Sequence, residues 1–378
     1  MIVKNEAHVI IDCLESVRPL ADYMLIEDTG STDGTQELIR SYLAREGIAG
    51  EVIEEPWRDF AHNRSLALSR LRERTDVDFA LMIDADEVIA YDPGFDAVAF
   101  KKGLTQDLYS IKIRLHSIEY SRPQLVSNRA EFRYRGVLHE FVEGPPGGYS
   151  SDTAEGFCML SGRGGARSKN PRKYEDDAAV LERTLQHETD PFLVSRYTFY
   201  LAQSYRDSGR PEKALPLYLK RTELGFWDQE TFISLYSAAQ ILEQLGRPDT
   251  EVVGAYLRAY EACPWRAEAL HGAMRYCRLA GKHHQSYLIG RHAVTLQHPA
   301  GGLFVQPWVY EYGVLDEFSI AAYWAGHYQD SFDASQRLLR EDRIPAGERS
   351  RVLANMNFAL KKLPGSAAAE QPLESLAS

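Results

Sequence analysis

Two groups of carboxylate residues lie early in the chain, each directly after an apolar segment. The run from Asp28 to Thr35 contains two aspartates and two glycines and follows the apolar residues 23–26. The tetrapeptide Asp-Ala-Asp-Glu at 84–87 follows a second apolar segment at 79–83. Carboxylate oxygens are the ligands that Mg²⁺ and similar hard cations prefer. Because parallel strands end at the same edge of a sheet, we expect both groups to lie together and to bind a nucleotide and a divalent cation.

The residues around these motifs alternate between strand-like and helix-like patterns as far as about residue 165. Alternation of this kind predicts an α/β fold with a mostly parallel sheet flanked by helices. The predicted helices span about 7–18, 34–46 and 60–73, and the predicted strands span 2–3, 23–27, 51–53, 79–83, 108–115, 131–135 and 138–142.

The acidic turn after the second predicted strand has a structural and a functional interpretation. Asp33 lies three residues before Gln36, which is the spacing of a capping box, so it is expected to start the helix over 34–46. The glycines of the turn suit a tight backbone bend. Asp28 is the better candidate to accept a hydrogen bond from the ring N–H of uracil or guanine. We therefore assign Asp33 to the structure and Asp28 to nucleotide binding.

Composition disfavours several classes of protein. The chain has 378 residues, with 43 Lys and Arg against 54 Asp and Glu and a formal net charge of −11. This balance disfavours nucleic acid as a partner, because binding to phosphates requires basic surface. Four cysteines without a C-x-x-C spacing disfavour zinc and redox motifs. No segment has the roughly 20 apolar residues of an integral membrane span, and the opening residues do not form a signal peptide, so we expect a cytoplasmic protein.

A glycine-rich and basic segment occupies residues 144–173. A loop of this length inside a compact domain is usually functional or disordered. The stretch 163–173 carries five cations and no acid. It is expected either to close over a diphosphate and balance its charge, or to be a solvated loop. The five cations are Arg163, Arg167, Lys169, Arg172 and Lys173.

From about residue 174 to 360 the sequence is typical of helices and it repeats. Four turn glycines follow one another at intervals of 37, 35 and 45 residues, against about 34 residues in tetratricopeptide repeats. The longest interval indicates an insertion near 301–302. Aromatic residues such as Tyr197 and Tyr200 are expected in the core of the repeats. The four glycines are Gly209, Gly246, Gly281 and Gly326.

These patterns predict three parts of the chain. An α/β domain is expected over 1–165, a helical repeat domain over 166–362 and a disordered tail over 363–378. Stacked helical hairpins form a curved surface suited to holding a peptide or another protein, and they can also mediate homo-oligomers.

Asp84 and Asp86 carry the most specific chemical signal. In sugar transfer the leaving group is a nucleoside diphosphate, and a divalent cation that bridges its oxygens stabilises the departing charge. A lone D-x-D triplet is often only an acidic turn, but here it follows an apolar strand and has a second acidic turn upstream. A phosphatase with a D-x-D nucleophile usually carries the motif on its first strand, so the later position disfavours that class.

The order of four motifs resembles that of family 2 glycosyltransferases with the GT-A fold. The motifs are MIVKNE at 1–6, DTGSTDGT at 28–35, DFAHNR at 59–64 and DADE at 84–87. VLHE at 137–140 resembles the V-H-E element of a subgroup that includes lipopolysaccharide-core glucosyltransferase-like proteins. Together with the repeats, the chain resembles bacterial proteins that fuse both modules, among them peptide S-glycosyltransferases of the sublancin type.

The resemblance implies roles for the matching residues. Glu140 would be the general base and His139 a second catalytic residue, with Asp176 or Asp177 as an alternative base. A structural salt bridge from the His-Glu pair to a nearby arginine, Arg133 or Arg135, is the competing interpretation. The implied ligands of Mn²⁺ or Mg²⁺ are Asp84, Asp86 and His139. The implied nucleotide-sugar-binding residues are Val3, Asn5, Glu6, Asp28, Arg64, Asp84, Ala85, Arg163 and Arg167.

The implied activity is that of an inverting, metal-dependent glycosyltransferase of the hexosyltransferase type. A UDP-sugar is the best candidate for the nucleotide-sugar donor. Two classes of acceptor are compatible with the sequence. One is a peptide or protein presented by the repeats, and the other is a lipopolysaccharide or another glycan. The alternative from another class is a repeat scaffold whose α/β domain binds a nucleotide without turnover.

Overall fold

A computed structural model describes residues 1–115, 118–162 and 164–364, and only the backbone of residues 118 and 168. The chain divides into two compact units between Arg210 and Pro211. This division falls later than the domain boundary expected after residue 165. Most of the tail expected to be disordered, from residue 365 onward, lies outside the described residues.

The first unit contains eleven strands and six α-helices in its described part. Its strands are β1 Ile2–Val3, β2 Tyr23–Asp28, β3 Ala49–Glu54, β4 Phe79–Leu81, β5 Val88–Tyr91, β6 Leu108–Leu115, β7 Ile118–Ser127, β8 Arg133–Arg135, β9 Phe141–Glu143, β10 Ser151–Thr153 and β11 Phe157–Leu160. Its helices are α1 Ile10–Val17, α2 Thr35–Glu46, α3 Phe60–Arg72, α4 Ala97–Lys102, α5 Lys173–Leu185 and α6 Pro191–Asp207.

The strands form three sheets, and only one of them is entirely parallel. β1, β2 and β3 form the parallel sheet in that order. A six-stranded sheet has the order β4-β7-β6-β11-β5, with β10 beside β6, and most of its pairs are antiparallel. β8 and β9 form a separate antiparallel pair. The expected parallel sheet is thus confined to the first three strands, because β6 and β7 are too close in sequence for a crossover and pair as a hairpin.

Three local predictions in the first unit are wrong. The expected strand over 138–142 is reduced to β9, because His139 has a left-handed backbone with φ 52°. The segment expected to be a loop contains β10 and β11, whose apolar run Phe157–Leu160 pairs with β5 and β6. The expected capping box is not formed, because Gln36 donates its side-chain N–H to Asp28 Oδ1 at 2.8 Å instead.

The apolar core of the first unit lies in two clusters. One contains α1, α2 and the inward residues of β2, β5, β6 and β11. The other contains residues of α3, β4, β7 and β8. Both clusters pack against the strands that lead to the carboxylate motifs, so they hold the ends of those strands in place.

The second unit consists of helices joined by the predicted glycine turns. Gly246, Gly281 and Gly326 have φ of 63°, 70° and 85°, which favours glycine at the end of a helix. The residue after each glycine donates its N–H to a carbonyl five residues earlier, as in a Schellman turn. The helices are α7 Pro211–Arg221, α8 Asp228–Gln244, α9 Asp249–Ala262, α10 Glu268–Leu279, α11 His283–Ala293, α12 Val314–Trp324, α13 Tyr328–Arg340 and α14 Arg349–Leu360.

The insertion expected near 301–302 lies between α11 and α12 and is held by a buried arginine. Arg266 is fully buried and pairs with both oxygens of Glu268. It also donates to Gln229 Oε1 at 3.0 Å and to the carbonyl of Leu303 at 2.7 Å. The charge of Arg266 therefore fixes the long connection against the repeats. Within the described part of the chain, no helix has both the length and the apolar composition needed to cross a bilayer.

Candidate functional site

The segment after β1 and the turn after β2 are joined by hydrogen bonds. Asn5 donates its backbone N–H to Ser31 Oγ at 2.9 Å, and Glu6 donates its backbone N–H to Thr35 Oγ1 at 2.9 Å. Asp33 accepts from the N–H of Thr35 at 3.1 Å, which fits a structural role. These contacts place Asn5 and Glu6 beside the turn that contains Asp28.

Asp28 is buried, and only one of its oxygens accepts a hydrogen bond from the described residues. Its Oδ1 accepts from the backbone N–H groups of Gly30 at 2.9 Å and Ser31 at 2.8 Å, and from Gln36. Burial disfavours the charged form, but hydrogen bonds from Ser31, Gln36 and Gly30 outweigh it, so the pKa of Asp28 lies below its usual value. Its Oδ2 has no hydrogen-bond partner among the described residues. Val3, also expected at the site, is buried and pairs with Asp28 in the sheet.

Asp84 is held at the end of β4 by a buried carboxylate on the same turn. Glu87 is 1% exposed, accepts the backbone N–H of Asp84 at 3.1 Å and pairs with Arg122 at 2.6 Å. Burial and the neighbouring Asp84 raise the pKa of Glu87. Burial opposes the charge of Asp84 as well, but Arg64 and Arg122 outweigh it and lower the pKa of Asp84. The turn therefore presents Asp84 as an anion.

Arg64 of α3 joins two candidate residues that are far apart in sequence. Its Nη2 donates to Asp84 Oδ1 at 2.5 Å, and its Nε lies 2.7 Å from Glu140 Oε1. The guanidinium group also lies over the ring of Tyr134, 5.3 Å from the centroid. The two carboxylates raise the pKa of Arg64 far above its ordinary value, although burial acts against this. Asp84, Glu140 and Arg64 thus form one cluster.

Asp86 lies against the backbone of the glycine-rich segment. Its Oδ2 accepts the N–H of Gly165 at 3.1 Å, and Glu6 accepts the N–H of Ala166 at 3.1 Å with either oxygen. A Cβ atom on Gly165 would lie 2.9 Å from the Asp86 carboxylate, so a larger residue here would displace the Asp86 side chain. Burial and the charge of Asp86 raise the pKa of Glu6, although the bond from Ala166 opposes this. Two predicted site carboxylates therefore lie under the same loop.

His139 is held by helix α6, which was expected to belong to the repeats. Its ring stacks on Tyr200 with centroids 3.7 Å apart, and its carbonyl accepts two N–H groups of Arg196 at 3.0 and 2.8 Å. Tyr197 accepts the backbone N–H of Val137 at 3.1 Å. Tyr197 and Tyr200 are therefore not only repeat core, because they also fix the V-L-H-E segment. This packing explains why the first unit extends past the expected boundary.

The imidazole of His139 lies in a cationic environment. His139 is an exposed residue, but the surrounding protein still disfavours the charged form of its ring. Three cations, Arg196, Arg167 and Lys173, act in the same direction, so the pKa of His139 is lowered. The ring is consequently neutral at neutral pH.

The remaining predicted residues have other surroundings. Arg167 pairs with Asp177 and lies over the ring of Phe60, 4.7 Å from its centroid. Arg163 lies outside the described residues. The side chain of Ala85 is buried in the apolar core, so only its backbone can line a nucleotide pocket.

The competing interpretations of Glu140 are resolved in part. Arg133 and Arg135 pair with Glu143 rather than with Glu140. Glu140 does form a salt bridge, but with Arg64. The alternative bases are also engaged, since Asp177 pairs with Arg167 and Asp176 accepts from Asn170 at 3.0 Å.

The described residues contain no group of three or more His, Cys, Asp or Glu side chains arranged to hold a metal ion. The expected set of Asp84, Asp86 and His139 is thus not assembled. The carboxylates nevertheless fit a different kind of site. Mg²⁺ is commonly bound through one or two carboxylates together with substrate phosphates and water, and Asp84 and Asp86 supply such oxygens on one turn.

Sequence reasoning missed several residues of this cluster. Glu27 is fully buried and accepts from Asn63 at 2.6 Å through Oε1, while its Oε2 has no partner in the part of the chain that the structure describes. Its charged position inside a predicted apolar strand was a signal that could have been used. Arg122 and Arg196 carry no such signal, because nothing in the sequence connects β7 or α6 with residues 84–87 or 137–140.

Comparisons with known proteins concern the first domain and the repeats. Residues 1–144 match the model of the family described as glycosyl transferase family 2. Over 87 residues the chain is 36% identical to a lipopolysaccharide core biosynthesis glycosyltransferase, LpsC, of Rhizobium meliloti, which covers 23% of this chain and 30% of LpsC. Over 148 residues it is 26% identical to a TPR repeat-containing protein of Synechococcus elongatus, which covers 38% of this chain and 34% of that one.

A third relative is matched over more of its length. The chain is 23% identical over 240 residues to an uncharacterized glycosyltransferase of Rickettsia felis, which covers 61% of this chain and 77% of the relative. The chain spans only about a third of the length of the first two relatives.

Proposed function

We propose that this chain, which carries a family 2 glycosyltransferase domain followed by tetratricopeptide-like helical repeats, transfers a sugar from a nucleotide-sugar donor to an acceptor with inversion at the anomeric carbon. The observation that carries the proposal is the cluster in which Arg64 joins Asp84 to Glu140 beside the Asp86 turn. The cluster combines carboxylates that can bind a metal cation, an arginine that can bind a diphosphate and a candidate general base.

The nucleoside would bind between the β1 segment and the turn after β2. Asp28 Oδ2 is a buried acceptor without a partner among the described residues, and an acceptor of this kind is costly unless a ligand or water donates to it. The ring N–H of uracil is a suitable donor, which supports UDP as the nucleotide. Asn5 and Glu6 lie at the same edge through their bonds to Ser31 and Thr35.

The diphosphate would lie between the carboxylate turn and the cations. Mn²⁺ or Mg²⁺ held by Asp86, with Asp84, would neutralise charge on the leaving diphosphate. Arg64 holds two carboxylates in the free protein, and a diphosphate carries more negative charge than either of them. The donor therefore competes for the guanidinium group of Arg64. Arg167, Arg196 and Lys173, which surround His139, are further candidates for contact with the anion.

Glu140 is the proposed general base. When the donor draws Arg64 toward its phosphates, the Glu140 carboxylate is released from its ion pair. It would then accept the proton of the acceptor as the acceptor attacks the anomeric carbon. The bond from that carbon to the phosphate oxygen breaks, and its electron pair leaves with the nucleoside diphosphate. Neutral His139, fixed by Tyr200, would position the base.

The acceptor class has two sources of support. The name of the LpsC relative refers to lipopolysaccharide core biosynthesis, which favours a glycan hydroxyl. The repeat unit offers a surface of the kind that holds peptides, which favours a peptide or protein. Assay of a sugar donor with both kinds of acceptor distinguishes them.

The first test is calorimetric titration with UDP and GDP, each with and without Mn²⁺. Metal-dependent binding of one nucleotide is expected, followed by slow hydrolysis of the matching nucleotide sugar. Absence of binding by folded protein would contradict the proposal. Binding without any hydrolysis or transfer would instead favour a nucleotide-binding scaffold, in which the Arg64–Glu140 pair simply closes the site.

A further inference from the structure

Glu140, the proposed general base, lies in the connection of a β-hairpin. β8 and β9 pair at Arg135 and Phe141, so residues 136–140 form the turn between the two strands. His139, inside this turn, has a left-handed backbone with φ 52°. Such a backbone is uncommon for residues other than glycine and persists where the surrounding structure holds it. Because His139 directly precedes Glu140, its conformation sets the direction in which the Glu140 side chain leaves the turn.

Arg196 of α6 contacts the residues on both sides of Glu140. Its Nε and Nη2 donate to the carbonyl oxygen of His139, at 3.0 and 2.8 Å. Its guanidinium carbon lies 5.2 Å from the centroid of the Phe141 ring. The same carbon lies 5.0 Å from the ring centroid of Tyr200, which stacks on His139. Arg196 thus connects the residue before Glu140 with the residue after it.

The paired hydrogen bonds from Arg196 restrain one particular peptide bond. The guanidinium group is planar and its donors have a fixed spacing, so two N–H groups that share one acceptor fix both its position and its orientation. The aromatic rings beside the guanidinium group attract its positive charge and help to hold it there. The carbonyl of His139 belongs to the peptide bond between His139 and Glu140. Arg196 therefore restrains the bond that leads directly into the candidate base.

Other contacts from α6 hold the strands on either side of the turn. Asp190 pairs with Arg135 at the end of β8. The ring of Phe192 packs edge-on against Phe141 of β9, with centroids 5.2 Å apart. These contacts act on the strands, whereas the guanidinium contact acts on the turn itself. It is therefore the more direct restraint on the candidate base.

Resting on the proposed function, we propose that Arg196 is a positioning residue for the Glu140 carboxylate. By fixing the peptide bond before Glu140, it holds the carboxylate where Arg64 meets it in the free protein, with 2.7 Å between Glu140 Oε1 and Arg64 Nε. The same placement serves proton transfer from the acceptor. Because two donors of Arg196 are directed at the backbone of His139, its effect on transfer passes through Glu140 rather than through the diphosphate.

The main test measures Arg196→Met in the native chain and in the Glu140→Gln variant. Methionine keeps a long apolar side chain but has no N–H donors. The probes are UDP-glucose and GDP-mannose with Mn²⁺, and water is the acceptor. In the native chain hydrolysis should slow by up to about 10²-fold, because a small displacement of a reacting group is enough for such a loss. In the Glu140→Gln background no further loss is expected. Equal losses in both backgrounds would overturn the proposal.

Nucleotide affinity separates positioning from binding. Calorimetric titration with UDP and GDP in the presence of Mn²⁺ is expected to give the same affinity for Arg196→Met as for the native chain. A loss of affinity as large as the loss of turnover would indicate contact with the diphosphate and would overturn the proposal. Arg206→Met is the matched control, because Arg206 lies on the same helix and pairs with Asp207. It should change neither affinity nor turnover.

A milder variant guards against a loss of folding in Arg196→Met. Arg196→Lys keeps the positive charge but offers one ammonium group in place of the planar pair of donors. It should lose less turnover than Arg196→Met, again without loss of nucleotide affinity. Full activity of Arg196→Lys would overturn the proposal, because charge alone would then be sufficient.

Hydrogen exchange tests the restraint without any nucleotide. Amides of residues 137–141 are expected to exchange faster in Arg196→Met than in the Arg206→Met control. Unchanged exchange would overturn the proposal. If the native chain hydrolyses neither nucleotide sugar, the role in transfer falls with the proposed function, and exchange alone then decides whether Arg196 holds the turn.

Discussion

The two units of the chain bury charged side chains in different ways. In the second unit, Glu268 uses both carboxylate oxygens, which accept from Arg266, from Tyr310 and from the N–H of Gln306. In the first unit, Glu27 and Asp28 are equally buried, yet each keeps one oxygen without a partner in the described residues. Buried polar atoms are nearly always satisfied, so these two oxygens are positions where a ligand or a water molecule would donate a hydrogen bond.

The arginines differ in the same way. Arg266 binds one carboxylate, a side-chain amide and the carbonyl of Leu303, all within a closed interior. Arg64 joins two separate carboxylates, Asp84 and Glu140, which are both partly open to solvent. The first arrangement can only stabilise the fold. The second can exchange partners when a more highly charged ligand arrives.

The largest expected effect is that of Asp86→Ala on turnover. Loss of the main carboxylate for the cation removes several kcal/mol of charge stabilisation, so turnover with a nucleotide sugar should fall by about 10³-fold or more. Folding should be unchanged, since Asp86 bonds only a loop N–H in the described structure. Steady-state rates at saturating Mn²⁺ measure this, with the exposed Asp152→Ala as control. Full activity of Asp86→Ala would refute the metal assignment.

Glu268→Gln should have the largest effect in the second unit, on stability. It leaves Arg266 buried without a counter-charge, which costs about 3–5 kcal/mol of unfolding free energy. Glu251→Gln is the control, because its pair with Arg247 is solvent-exposed and should contribute no more than about 1 kcal/mol. Urea denaturation followed by circular dichroism compares the two. Equal losses of unfolding free energy in the two variants would show that burial does not determine how much an ion pair contributes to stability.

Glu140→Gln should lower turnover by about 10²-fold or more, because the amide cannot accept the acceptor proton. Nucleotide affinity should change little. The measurement combines single-turnover kinetics with calorimetric titration, and Glu143→Gln, a neighbouring paired glutamate, is the control. If affinity fell as much as turnover, Glu140 would be a positioning residue that acts through Arg64.

Tyr197→Phe should have the smallest effect. It removes the hydroxyl that accepts the N–H of Val137 and should cost about 1 kcal/mol of stability in the first unit. The exposed Tyr174→Phe on α5 should be neutral. Thermal unfolding of both variants tests whether α6 contributes to the first unit. An unchanged unfolding midpoint for Tyr197→Phe would indicate that this tyrosine acts only as a core residue of the repeats.

Part of the fold followed from local patterns. The glycines at 246, 281 and 326 end helices as predicted, because a left-handed residue is a local requirement of that turn. The strand over 108–115 and the helix over 60–73 also appear close to their predicted bounds. The prediction of a strand at 138–142 was wrong because His139 has a left-handed backbone conformation, which could not be predicted from its residue type.

The sequence by itself determined which chemical groups are present and in what order, namely the acidic turns, the V-L-H-E segment and the helical repeat. Only the tertiary structure decided that Arg64 pairs Asp84 with Glu140 and that α6 holds His139 through Tyr200. Local periodicity reports which face of an element is buried, but it does not report which distant element covers that face. Ion pairs and ring stacks between distant segments depend on that packing, so they emerge only when the chain is folded.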